Sequence, residues 1–416
     1  MRGDGLTSPD SARAGGIPRN VWVVTLTSFL TDVSSEMVSN ILPLFLANVL
    51  GARTSAIGLI EGTAETTASL LKMASGWLSD RLGQRKGLAI LGYGLSACAK
   101  PFLYLATTWG WVLGVRFADR AGKGLRTAPR DALVADSVNP RQRGLAFGLH
   151  RAGDTAGAVL GIGISLLVLL PLARSGAPLD RATFQRLVLF SLVPAFLAVA
   201  VLAIGAREAR RAAPAPGDAR RAERRMGGTF LGFVGVMVVF TLGNSSDAFL
   251  ILRAQDVGLS VVAVLGMMLT FNVVYAAVAV PAGALSDRLG RRRMLLLGWL
   301  LYGVTYLGFA AARAGWQAWL LMLVYGVYYG LTEGVAKAFV ADLVPADRRG
   351  SAYGIFHAAI GLTALPASLL AGVLWQGVGT WTGWGASAPF LFGACMALLA
   401  AVLLLRLPRV ARTPEA

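Results

Sequence analysis

Apolar runs of about twenty residues recur along this chain, separated by short loops rich in arginine. At a rise of 1.5 Å per residue, one such run matches the hydrocarbon thickness of a bilayer. Twelve candidate spans emerge, near 21–49, 56–79, 88–107, 110–137, 145–170, 187–206, 230–252, 260–285, 294–312, 316–343, 351–375 and 389–406. Several are longer than the bilayer is thick, which implies tilt or protrusion. Composition agrees: 55% of the 416 residues are hydrophobic, 15% are charged, and the mean hydropathy is +0.61. A soluble domain needs about 25% charge to cover its surface. The predicted fold class is therefore an all-α membrane protein of twelve transmembrane helices.

The formal charge of +17 does not point to nucleic acid, because the basic residues lie between apolar runs and not on one soluble face. With the N-terminus inside, the inside segments carry about 24 Lys and Arg and the outside segments about 6. That bias predicts a multi-pass protein of the inner (plasma) membrane with both termini cytoplasmic. Residues 1–20 lack the apolar core of a signal peptide and read as a cytoplasmic tail. Residues 207–229, beginning Arg207-Glu208-Ala209-Arg210, are basic and Pro/Gly-bearing. They read as a cytoplasmic linker between bundles at 21–206 and 230–406, with 407–416 as a second tail. Cys98 and Cys395 sit inside apolar stretches, and neither a disulfide framework nor metal spacing is present.

The chain repeats itself. Gly76-Trp-Leu-Ser-Asp80-Arg81-Leu-Gly83-Gln-Arg85-Lys86 recurs as Gly283-Ala-Leu-Ser-Asp287-Arg288-Leu-Gly290-Arg-Arg292-Arg293, an offset of 207. Ala135-Asp136, Arg143-Gly144 and Phe147-Gly148 recur as Ala341-Asp342, Arg349-Gly350 and Tyr353-Gly354, at 206. Ser34-Ser35-Glu36 recurs as Ser245-Ser246-Asp247, at 211. Matches in one order at nearly one spacing, with the parity of spans kept, imply two parallel six-helix halves about an axis along the membrane normal.

The repeated loop resembles the most specific motif of the major facilitator superfamily, G-x-L-x-D-R-x-G-R-[KR], and the resemblance covers essentially the whole chain. The first copy departs from it at Gln84, and the second is fuller. In that family these loops form a cytoplasmic latch, which assigns the gate to Gly76, Asp80, Arg81, Gly83, Arg85, Gly283, Asp287, Arg288, Gly290 and Arg292. The resemblance also implies that spans one, four, seven and ten line a central cavity.

Ionisable groups in hydrocarbon cost at least about 2.5–3.5 kcal/mol each, so those inside the spans should face water or one another. Asp32 and Glu36 share a face of span one, i,i+4. Span four carries Arg116, Asp119, Arg120, Lys123, Arg126, Arg130 and Asp131; span seven carries Asp247; span ten carries Glu333 and Lys337. Arg116 occupies the place of an arginine tied to proton coupling in the family, although Arg120 stands where that motif has its first glycine. The stripe reads either as a track for an anionic group or for protons, or as an ion-pair network with Asp32, Glu36 and Asp154. Glu61 and Glu65, with Lys72 beyond them, read as gate residues or as protonatable relays. Arg151 and Asp154 are expected to pair with each other or with span one, and His150 and His357 to be hydrogen-bonded at helix ends.

The functional expectation is a secondary active transporter of a small polar or amphipathic solute, coupled to protons, without cofactor, metal or enzymatic chemistry, acting as a monomer in the lipid bilayer. Gly148, Gly157 and Gly161 match the glycine spacing of an antiporter motif on span five, but Ile162 replaces its proline. An exporter of drug- or siderophore-like compounds leads. A proton-coupled importer of a small anionic metabolite is the alternative, and a non-transporting membrane receptor is the alternative of a different class.

Overall fold

The computed structural model of the chain describes residues 17–138, 143–175, 179–208, 227–344 and 349–408. Most of the two tails and of the linker lies outside the described residues, as do the side chains of Asp80, Asp287, Arg143 and Arg349. Among the described residues, fifteen helical segments form twelve spans, because three spans are broken. The first half contains α1 (Arg19–Ser39), α2 (Leu42–Asn48), α3 (Thr54–Leu82), α4 (Lys86–Ala99), α5 (Pro101–Tyr104), α6 (Trp109–Asp136), α7 (Arg143–Ser175) and α8 (Arg181–Gly205). The second contains α9 (Gly228–Gly243), α10 (Ala248–Asp256), α11 (Val261–Leu289), α12 (Arg291–Ala311), α13 (Gly315–Leu343), α14 (Arg349–Gln376) and α15 (Ala388–Arg406). Among the described residues the strand content is one isolated bridge, Val378 to Trp381.

The sequence pattern placed every span and missed the breaks. The first span stops at Asn40 and restarts with Pro43 near the start of α2, where a missing N–H is harmless. The third stops at Lys100, followed by Pro101. The seventh stops at Asn244, whose ψ of 76° leaves the helical region, and resumes at Ala248. Backbone groups freed in a membrane helix must be met inside the protein. Here the Ala248 N–H donates to the Ser246 hydroxyl (3.2 Å), and the Ser246 N–H donates to that of Ser368 (3.3 Å).

The halves meet chiefly along α3 and α14. Toward the end away from the repeated loops the backbones nearly touch: a Cβ on Gly62 would stand 2.7 Å from Leu365 Cα, and one on Gly58 would collide with the Ser368 carbonyl. Thr54 donates to the Gly372 carbonyl (2.9 Å) and Thr66 to that of Gly361 (2.5 Å). Small residues permit this approach, as in other membrane helix pairs. The same stripe of α3 continues past Ser69 as Met73 and Trp77, which are 51% and 62% exposed. The halves therefore close on each other at the far end and diverge toward the end that bears the basic loops.

Candidate functional site

A cavity of about 630 Å³ lies between the halves. Side chains from α1, α2, α3, α6, α9, α10, α11, α12, α13 and α14 line it. Of the residues expected on the pathway, Glu36, Arg116, Lys123, Asp247, Glu333 and Lys337 reach it, joined by Glu61, Glu65, Arg120 and His357. Asp32, Asp119, Arg126, Arg130 and Asp154 stand outside the lining.

The wall from the first half is charged, and most of its basic groups are occupied. Arg116 donates to both oxygens of Glu61, at 2.9 and 2.8 Å, across α6 and α3. Asp119 lies 3.9 Å from Arg116 and 4.0 Å from Arg120. Arg130 pairs with its neighbour Asp131 at 2.8 Å and donates to Ser28 at 3.1 Å. Arg126 sits 4.3 Å from the centre of the Tyr93 ring, a cation–π contact, with Nη1 buried and unpartnered. Lys123 lines the cavity with no carboxylate within ion-pair distance among the described residues. Glu36 accepts from Asn40 at 2.9 Å.

A second cluster lies behind this wall. Asp32 is in electrostatic range of Asp154, Glu36, Lys123 and Arg126. His150 is 3.7 Å from Asp154, and both its ring nitrogens lack a hydrogen-bond partner. That differs from the hydrogen-bonded helix-end histidine expected from sequence. Gly157 and Gly161 pack on α1, a Cβ on Gly161 standing 2.5 Å from the Val33 carbonyl. These glycines serve helix contact here.

Arg151 does not pair with its neighbour Asp154. It crosses between the halves, donating to the Tyr275 hydroxyl at 2.8 Å and reaching Glu333 at 3.5 Å. Tyr275 donates to the same Glu333, which also takes Lys337 at 2.9 Å. A cross-half partner has no spacing in sequence. Lys100 was also missed: buried at the α4–α5 break, it donates to the Ser34 and Ser35 hydroxyls.

The wall from the second half is aromatic. Phe240, Phe271, Trp299, Tyr328, Tyr329 and Phe356 line the cavity, as does Asp247. Asp247 Oδ1 accepts from the Tyr325 hydroxyl at 2.8 Å, and the side-chain oxygen of Asn244 is buried without a partner. The halves have thus kept one backbone plan and filled it with different chemistry.

At the basic end the repeated loops make equivalent bonds. Gly83 (φ +64°) and Gly290 (φ +91°) turn the chain where a side chain would be strained. Arg85 donates to Ser79 (2.8 Å) and lies 3.4 Å from Asp136; Arg291 donates to Ser286 (2.9 Å) and to Asp342 (2.8 Å). The counterpart of Arg85 is therefore Arg291 and not Arg292, which instead donates to the Leu407 carbonyl (3.0 Å). One residue is lost just after Gly290, and the repeat offset falls there from 207 to 206. Glu208 closes the first copy by accepting from the N–H groups of Arg85 (2.7 Å) and Lys86 (3.0 Å), a carboxylate at the start of α4.

Comparison with known proteins agrees with this plan. The chain is 36% identical over 400 residues to an uncharacterised MFS-type transporter of Methanocaldococcus jannaschii, covering 94% of this chain and 95% of that one. Its fold matches a bacterial homologue of the human lysosomal transporter Spinster with a TM-score of 0.74 at 16% identity, over 92% of this chain and 95% of that one. It matches a D-xylose-proton symporter with a TM-score of 0.73 at 19% identity, over 94% and 97%. The model of the Major Facilitator Superfamily matches residues 24–270 and 228–416. This chain belongs to the major facilitator superfamily of membrane transporters.

Proposed function

We propose that the protein is a proton-coupled exporter of a small amphipathic solute, working by alternating access. The observation that carries this reading is the cavity of about 630 Å³ at the interface of the halves, sealed at one end by the α3–α14 seam while the halves diverge at the other. Two halves rocking about such a site expose it to each side in turn. The positive-inside bias makes the diverging end cytoplasmic and puts both termini there, in the plasma membrane. Asp32 and Glu36 on α1 are the proton-exchanging pair, and the loops at Asp80 and Asp287, with Arg81 and Arg288, latch the cytoplasmic side when it closes. The arginines of α6 act mainly as structural partners of Glu61, Asp119 and Asp131. The protein works as a monomer and draws on the proton gradient alone.

The import of an anionic metabolite keeps one observation in its favour, the cavity-facing Arg120 and Lys123. Inverted membrane vesicles separate the readings. A ΔpH-sensitive dye reports the gradient while amphipathic solutes are added to the exposed cytoplasmic face. An exporter collapses the gradient on addition of its substrate, and Asp32→Asn with Glu36→Gln abolishes that response. An unchanged response in the double variant removes both carboxylates from the coupling role. A response that appears only with anions, and only in right-side-out vesicles, replaces export by import.

A further inference from the structure

The carboxylates and basic side chains that line the cavity number five and four. Their distribution matters more than the sum. Glu61 and Glu333 each have a basic partner, at 2.8 and 2.9 Å. Asp247 has none within 4 Å among the described residues, and there its carboxylate accepts its one hydrogen bond from the neutral Tyr325. It follows the break between α9 and α10, so the gap in the helix exposes it to the cavity.

The rings around it make a corner. Tyr329 is perpendicular to Phe271 (90°, centroids 5.5 Å apart) and nearly so to Tyr328 (80°, 5.4 Å). Rings meeting at right angles present π-faces and edges to the same space. A carboxylate alone would take a proton or a small hydrated cation. Aromatic faces beside it favour a cation that sheds its water easily, such as an alkylated ammonium or a delocalised ring cation.

We propose that the wall formed by α9, α10, α11 and α13 is an organic-cation subsite, with Asp247 as counter-charge and Phe271, Tyr328 and Tyr329 as its aromatic faces. Tyr325 is a positioning residue that holds the carboxylate. The solute is then a drug-sized organic monocation. This assignment rests on the transporter reading for its claim that the cation is carried, but not for the claim that it binds.

The test uses the purified full-length protein in detergent and radiolabelled tetraphenylphosphonium, a permanent cation. Saturable binding is expected. Asp247→Asn should weaken it at least tenfold, while Asp247→Glu keeps it within a few-fold. Tyr328→Phe should bind like the parent, and Tyr328→Leu should lose roughly three- to thirtyfold, the range from a partly exposed to a desolvated cation–π contact. Tetraphenylborate, of the same shape and opposite charge, should compete poorly. Equal binding of the borate, or an Asp247→Asn protein that binds the phosphonium unchanged, overturns the proposal as a charge-blind apolar pocket; so does a parent protein with no saturable binding. If Asp247→Asn does not run as a single species on gel filtration, the borate comparison and the Tyr328 pair decide. Spin labels on cysteines at 53 and 378, with Cys98 and Cys395 replaced by serine, report opening of the far end independently. Two distance populations without phosphonium binding refute the cation subsite and leave the transporter reading intact. Phosphonium binding with one immobile distance does the reverse.

Discussion

Arg116 illustrates how far a single position can be read. Its sequence context resembles an arginine associated with proton coupling, yet in the fold its guanidinium is buried and forked onto Glu61. Breaking a buried pair from one side strands a charge and costs about 3–5 kcal/mol, whereas removing both partners is often close to neutral. Glu61→Gln should therefore lower the thermal midpoint in detergent more than Glu61→Gln combined with Arg116→Met. A double variant less stable than the single one would mean that Arg116 is held by groups other than Glu61. Asp32–Glu36 and Glu333–Lys337 could be placed on shared helix faces because their partners are four residues apart. Glu61–Arg116 and Arg151–Glu333 could not, since the contact is made between helices and leaves no periodic trace. Asp180 is a residue whose role is local. As the N-cap of α8 it accepts from the Thr183 N–H at 3.0 Å, and this bonding to Thr183 holds its carboxyl below the usual carboxylate range. A lowered value stabilises the fold above the ordinary range, and the gain is lost as pH falls through the lowered value. Asp180→Ala should cost about 1 kcal/mol at neutral pH, and acidification should narrow its difference in thermal midpoint from the parent.

At the scale of the helix, span number and order were legible because hydropathy and loop charge follow directly from the bilayer. The breaks were not. Span seven unwinds at Asn244-Ser245-Ser246-Asp247, a run without Gly or Pro, where side-chain hydroxyls replace helical partners. The run Ser34-Ser35-Glu36 lies inside α1, before the break at Asn40, whereas Ser245-Ser246-Asp247 lies in the break itself, so the two runs, matched at an offset of 211, do not occupy equivalent places. The pairing of α7 with α11 and α13 through Arg151, Tyr275 and Glu333 ties the halves on the side where they otherwise diverge. Arg151→Gln should release that tie and widen the cytoplasmic opening. Distances between spin labels at the basic ends of α7 and α11 should lengthen, and an unchanged distribution would leave the tie without a conformational role.

For the molecule as a whole, the seam at the far end sets the balance between closed and open forms. It is held by glycine backbone approach and by a few hydroxyl–carbonyl bonds, so added volume acts on one conformer only. Gly62→Val should shift the spin-label population at the far end toward the open form without unfolding either half. Unaltered populations with normal stability would show that the seam does not control the equilibrium. The same two-half plan has a consequence for how the protein is made. Among the described residues, the helices long and apolar enough to cross a membrane unaided include α7 and α8 of the first half, but every span of the second half except α13. At roughly 2.5–3.5 kcal/mol for each central Asp, Lys or Arg, a helix such as α6, with its eight ionisable groups, cannot partition into lipid by itself. The polar wall that serves the finished carrier therefore emerges from the ribosome first, before the apolar helices that will shelter it. Four early spans must wait beside the translocon until α7 and α8 arrive, so the protein's dependence on insertion chaperones should concentrate in its first half.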